Sequence, residues 1–250
     1  MRRMEYKILG DVMQALQLQL RQGEQVYAEA GAMLYMGPGI ELQARMTGGL
    51  VKGLMRKFLA GESMFMSVFQ CNVPAAHLAL ANPIAGKIYP IQLHGNTILA
   101  ERNAYLCAIG NVDLSVAFTK RFGAGLFGGE GFILQKISGE GLVFLHGGGN
   151  MIDFDLAPGE QLRVDTGCIV SMADSVKYDI EFVGGFRNAL FGGEGLFYAT
   201  LSGPGHVVLQ TLPFSRLANR LAAAAGTNKE ESKGIAGIAG NVLGGIISGD

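Results

Sequence analysis

The stretch LFGGEGF at residues 126–132 decides the fold, because the chain contains it nearly three times. LFGGEGL occurs at 190–196, and a more divergent copy, FLAGESM, occurs earlier at 58–64. The glutamates of the three copies are 68 and 64 residues apart. They are Glu62, Glu130 and Glu194. A period of this length indicates that a whole folding unit is repeated.

Stretches of alternating apolar and polar residues precede each copy, which is typical of half-buried strands. Residues 15–20 (ALQLQL) alternate in this way, and a predicted turn at 21–24 leads to a second strand at 25–29. The same order of strand, turn and strand is predicted at 93–101 and at 156–165. Acidic residues end this unit 72 and 64 residues apart: Glu29, Glu101 and Asp165.

A further strand, closed by a turn, follows each glycine-rich copy. In the second copy we predict a strand at 132–137, a turn at 138–141 and a strand at 142–145. The third copy repeats this order with a turn at 202–205, whereas the first has an insertion beginning at 70–74. We place the repeats at about 8–82, 83–147 and 148–212.

These repeats predict an all-β fold with three β-sandwich-like units. A unit of about 65 residues buries too little surface to be very stable alone, and its exposed strand edges seek partners. Packing three units around a pseudo-threefold axis closes those edges and merges the cores. We therefore predict a single β domain over residues 1–212.

The tail, residues 213–250, lies outside the repeats. Ser215 is a suitable N-cap for a short helix that continues to Gly226. An apolar, glycine-rich stretch follows at 234–248 and is too short and interrupted for a confident membrane span. We expect this stretch to pack on its own oligomer, to contact a membrane, or to be flexible and contact neither. A second candidate contact segment, 46–60, has the pattern of a short amphipathic helix.

Composition limits the classes of function. The net charge is −1, which offers no global electropositive footprint for nucleic acid. Three widely spaced cysteines without a C-x-x-C motif argue against a disulfide framework or structural zinc and fit a reducing compartment. No secretory signal precedes Asp11. We expect a cytoplasmic protein, with a peripheral position at a membrane as an option.

No motif for catalysis or cofactor binding is present. The chain lacks G-x-S-x-G and the phosphate-binding G-x-x-x-x-G-K-[ST] sequence. Its histidines form no H-x-H or H-x-x-x-H pair, and the pattern predicts His146 as a turn residue. They are His77, His94, His146 and His206. We therefore expect no enzyme activity, no catalytic residue, no metal site and no cofactor.

The repeated glutamates have two interpretations. In the functional one, three related carboxylates bind a cation or a basic partner. In the structural one, each accepts backbone N–H bonds in its own turn or pairs with a basic residue preceding it by 10, 9 or 7 residues. Those basic residues are Lys52, Arg121 and Arg187. Repetition favours the structural role, because a device that every folding unit needs is copied with the unit.

Several motifs together resemble the "altered inheritance of mitochondria" family. They are GEQVYAEAGAMLYM (23–36), TGGL (47–50), LAGESMF (59–65), LFGGEG (126–131 and 190–195) and SGPGHVVLQT (202–211). The resemblance covers about residues 5–212. It implies a fold similar to the tryptophan RNA-binding attenuation protein, oligomer formation and, for a mitochondrial relative, a role in inner-membrane organisation. It implies no catalytic residues.

Two hypotheses of function follow. The first is a non-enzymatic, homo-oligomeric scaffold or interaction protein whose partner is another protein or a membrane surface. The second is a small-ligand or RNA-binding module, which rests on analogy of fold alone. The sequence identifies no ligand. With no Trp and 8% aromatic residues, base-stacking platforms are not evident.

Overall fold

The computed structural model describes residues 4–46, 65–120, 132–182 and 197–226. Most of these residues are in β-strands, with one short helix near the C-terminal end, which confirms the all-β class. The strands are β1 (Glu5–Leu9), β2 (Ala15–Arg21), β3 (Gln25–Glu29), β4 (Met33–Met36), β5 (Ile40–Met46), β6 (Phe65–Cys71), β7 (Ala75–Ala81), β8 (Gly86–Glu101), β9 (Tyr105–Lys120), β10 (Phe132–Gly148), β11 (Met151–Leu156), β12 (Gln161–Asp165), β13 (Ile169–Ala173), β14 (Lys177–Phe182), β15 (Phe197–Ser202) and β16 (Gly205–Gln210).

The described strands form three antiparallel sheets. One has four strands in the order β1-β2-β7-β4, and a second has three in the order β12-β15-β14. The largest has nine strands, in the order β11-β16-β13-β8-β10-β9-β3-β6-β5. Short strands from the first and last thirds of the chain therefore flank three long strands from the middle third. The predicted pseudo-threefold axis and the similarity to the attenuation protein stay predictions.

The alternation of residues 15–20 corresponds to one buried face of β2 and one half-buried face. In β2, Leu16, Leu18 and Leu20 are fully buried. Leu16 lies opposite Leu80 of β7, and Leu18 lies opposite Leu78. Burying one leucine side chain contributes about 1.5–3 kcal/mol, so this face holds the four-stranded sheet onto the core.

The middle third differs from the prediction, because the predicted turn at 138–141 is wrong. The chain runs on as one strand, β10, which pairs with β8 on one side and β9 on the other. Gly139 has a φ of +118° at a β-bulge between Ser138 and Glu140. Between these positions β8 has one residue more than β10, and the β-bulge accommodates that residue. Both ladders of β10 therefore continue. The corresponding turn of the last third is present, because β15 ends at Ser202 and β16 begins at Gly205.

The buried side chains form three clusters. Phe69 and Phe144 lie in the first, Leu134 and Leu201 in the second, and Tyr105 in the third. Phe144 packs edge-on against Tyr6, with ring centroids 4.9 Å apart. Strand β10 contributes residues to all three clusters, so it lies at the centre of the core.

Residues 214–250 form a second compact unit, separate from residues 1–213. Its described part is helix α1 (Phe214–Gly226), which begins one residue before the predicted cap Ser215. Leu221 is 62% exposed on this helix. Among the described residues no helix is both long and apolar enough to cross a membrane. The predicted contact segment at 234–248 and residues 47–60 of the other lie outside the described residues.

Candidate functional site

The six residues predicted as interaction sites all lie outside the described residues. They are Glu62, Glu130, Glu194, Lys52, Arg121 and Arg187. Whether these residues have a structural or a functional role therefore stays a prediction.

Two of the acids that end the repeated strand unit have a structural role. Glu101 accepts a hydrogen bond from the backbone N–H of Asn103 at 2.9 Å, and Asp165 accepts one from Gly167 at 2.9 Å. Each carboxylate caps a single turn of 3-10 helix, and each is nearly buried. A buried carboxylate bound to backbone donors in this way fixes the local turn.

Glu29, at the matching place in the first copy, has a different environment. Its side chain is half-buried at the end of β3. Burial raises the pKa of this carboxyl from 4.5 to about 7, and the Arg102 guanidinium partly opposes the shift. Its charge also contributes to the raised pKa of Tyr105. Glu29 therefore gains and loses its proton near neutral pH.

Strand β4 exposes a row of apolar side chains at a sheet edge. Among the described strands it is hydrogen-bonded to β7 alone. Its side chains are 39–58% exposed: Met33, Leu34, Tyr35 and Met36. Edge strands are protected from pairing with another chain by charges, proline, short length or a β-bulge. Strand β4 has only four residues and a register shift between Met33 and Tyr35, but it has no charge or proline. Its exposed edge is thus available for a further strand.

A groove lies where strands of the middle third pass a turn of the first third. Its cavity volume is about 1040 Å³. The lining residues come from β1, the β2–β3 turn, β3 and the middle parts of β8, β9 and β10: Met4, Tyr6, Gly23, Glu24, Gln25, Tyr27, Pro90, Gln92, Leu93, His94, Ile109, Gly110, Glu140, Gly141 and Leu142. This volume is at the upper end of the range for small-molecule sites.

Two glycines face each other in the lining of this groove. Gly141 of β10 lies opposite Gly110 of β9 and opposite Leu93 of β8. A Cβ atom on Gly141 would lie 2.3 Å from the backbone oxygen of Ile109 and 2.6 Å from Cγ2 of Val112, so a larger residue forces the strands apart. Glycine at this position therefore permits the close approach of β9 and β10.

A polar cluster joins strands β8, β11 and β16. The Tyr89 hydroxyl donates to Asp153 Oδ1 at 2.6 Å, and His206 Nε2 lies 3.0 Å from the same oxygen. His206 Nδ1 lies 2.7 Å from Asp155 Oδ1. Burial, the hydrogen bond to Asp153 and both carboxylate charges raise the pKa of Tyr89 to about 12. The tyrosine therefore acts as a hydrogen-bond donor at neutral pH.

Sequence reasoning missed this cluster because its members are 64 and 51 residues apart and meet only through strand register. Asp155 lies directly opposite His206 in the β11–β16 pair. The spacing of Asp153 and Asp155 on one face of a strand was the available signal. Within the described ranges, no three His, Cys, Asp or Glu side chains are placed to hold a metal ion.

His146 lies in strand β10 rather than in a turn, so its predicted position is wrong. It is 4% exposed, and its Nε2 atom has no hydrogen-bond partner among the described residues. Burial lowers the pKa of His146 from 6.5 to about 4, although a backbone hydrogen bond to Ile84 opposes the shift. The imidazole is therefore neutral at physiological pH.

Comparisons with known proteins agree with the fold. The family model described as mitochondrial biogenesis AIM24 matches residues 6–212. An uncharacterized protein of Streptococcus pyogenes serotype M6 is 26% identical over 213 residues, which are 82% of this chain and 84% of the relative. A crystal structure of a Streptococcus pyogenes protein is similar with a TM-score of 0.71 and 24% identity, covering 89% of this chain and 100% of that one.

Proposed function

Since the chain belongs to the mitochondrial biogenesis AIM24 family, we propose that it is a non-enzymatic scaffold that assembles with further copies of itself. The exposed apolar edge of β4 is the observation that carries this proposal. A free strand edge presents unpaired N–H and C=O groups, and pairing with a strand of another chain satisfies them.

The sequence of β4 favours a second copy as the occupant of this edge. Two identical strands that pair antiparallel about a twofold axis bring the same patch into contact from both sides. The strand MLYM has no charged residue, so self-pairing creates no like-charge repulsion. The apolar side chains of the two copies would cover each other once the edges pair.

A four-residue strand is too small for a stable interface by itself, because specific interfaces bury about 1,200–2,000 Å² in total. Residues 1–213 expose further apolar side chains outside β4. Leu42 is 44% exposed on β5, which begins four residues after β4 ends and is an edge strand of the nine-stranded sheet. Val12 and Met13, in the β1–β2 turn, are 70% and 69% exposed. These residues supply further apolar surface on the same unit.

The experiment compares the oligomeric state of three proteins by sedimentation velocity at micromolar concentration. Leu34→Lys places a charge on the β4 edge, where Leu34 is 58% exposed. Ile152→Lys is the matched control, because Ile152 is a 45% exposed apolar residue on β11. We expect the wild-type chain and Ile152→Lys to be oligomeric and Leu34→Lys to be monomeric.

Each other result has a defined meaning. A monomeric wild-type chain at all concentrations contradicts the scaffold proposal. An oligomer that survives Leu34→Lys contradicts the role of β4, whether or not it survives Ile152→Lys. Circular dichroism of both variants confirms that the fold is retained before either result is used.

The other partners predicted from the sequence gain different degrees of support. A membrane surface stays part of the proposal, with its predicted contact segments outside the described residues. The RNA-binding alternative gains no support from the groove, whose described lining residues include no Lys or Arg to contact phosphate. The small-ligand alternative is favoured by the volume of the same groove.

A further inference from the structure

We propose that the groove between β1, the β2–β3 turn and the long strands β8–β10 binds a primary amine or guanidinium group carried on an apolar stem. This inference is independent of self-association, because it rests on the lining of the groove and not on the edge of β4.

The apolar part of the lining defines the stem. Leu93 is 1% exposed at the bottom of the groove, and Tyr6, Ile109 and Leu142 are half-buried around it. The half-buried side chains of Tyr6, Ile109 and Leu142 are therefore the apolar surface that a ligand can reach. An unbranched hydrocarbon chain that lies on these side chains removes apolar surface from water, at about 25 cal/mol per Å².

Two polar side chains of the lining, Gln92 and Tyr27, present acceptors, because their donors are already used. Gln92 Nε2 donates to the backbone oxygens of Gly141 at 2.8 Å and of Leu93 at 3.3 Å. The hydroxyl of Tyr27 donates to Gln25 Oε1 at 2.8 Å. The Gln92 carbonyl oxygen and the lone pairs of Tyr27 are the groups left for a ligand. A ligand rich in N–H donors matches this set.

The charge of the lining selects a cation. Glu24 and Glu140 line the groove, and no Lys or Arg is among its described lining residues. Oε2 of Glu24 accepts a hydrogen bond from the backbone of Arg21 at 2.8 Å, which fixes the carboxylate in the β2–β3 turn and leaves Oε1 as an acceptor. A charge-assisted hydrogen bond to either carboxylate favours an ammonium or guanidinium ion over a neutral or anionic group.

The chain offers a matched control for Glu24. Glu160 follows a glycine in the β11–β12 turn, and its Oε2 accepts a hydrogen bond from the backbone of Ala157 at 2.8 Å. The turn chemistry of the two glutamates is therefore the same, but Glu160 does not line the groove. Replacement of either residue by glutamine keeps an acceptor for the backbone bond and removes only the charge.

The test uses saturation-transfer NMR with the full chain at pH 7.5 and three probes of six carbon atoms each: hexylamine, hexanol and hexanoate. We expect saturable binding of hexylamine that is at least fivefold tighter than that of hexanol, and no saturable binding of hexanoate. Glu24→Gln and Glu140→Gln should each weaken hexylamine binding about three- to fivefold, as for one solvent-accessible charge pair. Glu160→Gln should leave it unchanged.

Other results overturn the proposal. These are equal binding of hexanol and hexylamine, preference for hexanoate, equal loss of binding in Glu160→Gln, and unchanged binding in both Glu24→Gln and Glu140→Gln. Competition against hexylamine then distinguishes the sources of the amine. Displacement by spermidine supports a free polyamine, displacement by N-acetyl-lysine N-methylamide supports a peptide side chain, and displacement by neither contradicts a site for natural amines.

Discussion

Replacing Glu29 with glutamine should stabilise the protein at neutral and alkaline pH. Burial raises the pKa of this carboxyl from 4.5 to about 7. A carboxyl whose pKa is higher in the folded than in the unfolded chain binds its proton more tightly when folded. Its contribution to stability is therefore complete below pH 4.5 and is lost as the pH rises through 7.

The size of the effect follows from the size of the shift. Each pKa unit corresponds to 1.36 kcal/mol, so the shift of Glu29 gives an upper bound of about 3 kcal/mol. Because the side chain is only half-buried, solvent screening reduces the expected value to about 2 kcal/mol. Glutamine fits the same space without a charge, so the variant avoids this loss.

Urea denaturation followed by circular dichroism at pH 4.5, 6 and 8 measures the effect as a difference between variant and wild type. We expect Glu29→Gln to gain about 2 kcal/mol relative to wild type between pH 4.5 and pH 8. Glu41→Gln, on the exposed face of β5, is the control and should change by less than about 0.5 kcal/mol. A difference between Glu29→Gln and wild type that does not vary with pH would refute the reasoning.

Three further predictions concern the core. Burial lowers the pKa of His146 to about 4, so its imidazole is protonated in the unfolded chain before it is protonated in the folded one. The free energy of unfolding of the wild type should therefore fall by up to about 3 kcal/mol as the pH falls from 6.5 to 4. His146→Gln should remove this acid loss in urea titrations, and an unchanged loss contradicts the assignment. Tyr105→Phe should cost about 1–3 kcal/mol by chemical denaturation, because the buried hydroxyl donates to Tyr27 O at 2.7 Å. Phe144→Ala should cost about 3–5 kcal/mol and lower the melting temperature, because this fully buried ring lies at the centre of the core; a loss under 1 kcal/mol contradicts that position.

Local patterns predicted the strands of the first and last thirds well. The alternation of residues 15–20 predicted β2, and the second strand at 25–29 coincides with β3 (Gln25–Glu29). Alternation succeeds there because one face of each strand is buried and the other meets solvent. The middle third was predicted less well, because the same glycine pattern forms a turn at 202–205 and a bulge at 138–141. Partner strands on both sides of β10 decide between the two, and their positions are not encoded locally.

The candidate sites depended even more on tertiary structure. Gly110 and Gly141 both line the groove because they meet across two neighbouring strands, although they are 31 residues apart in the chain. In the same way, Asp155 meets His206 through strand register. The sequence also did not predict that β4 is exposed, because its apolar residues, MLYM, are typical of a buried strand.

The long strands of the middle third determine how the chain reaches its native state. Strand β3 pairs with β9, and β8 pairs with β13, so the nine-stranded sheet is complete only after the middle third is present. The four-stranded and three-stranded sheets lie wholly within the first and last thirds. The non-local pairing of the nine-stranded sheet slows folding. Opening β10 breaks its ladders with both β8 and β9. In native-state hydrogen exchange its amides should therefore exchange only through global unfolding, later than those of the edge strand β4.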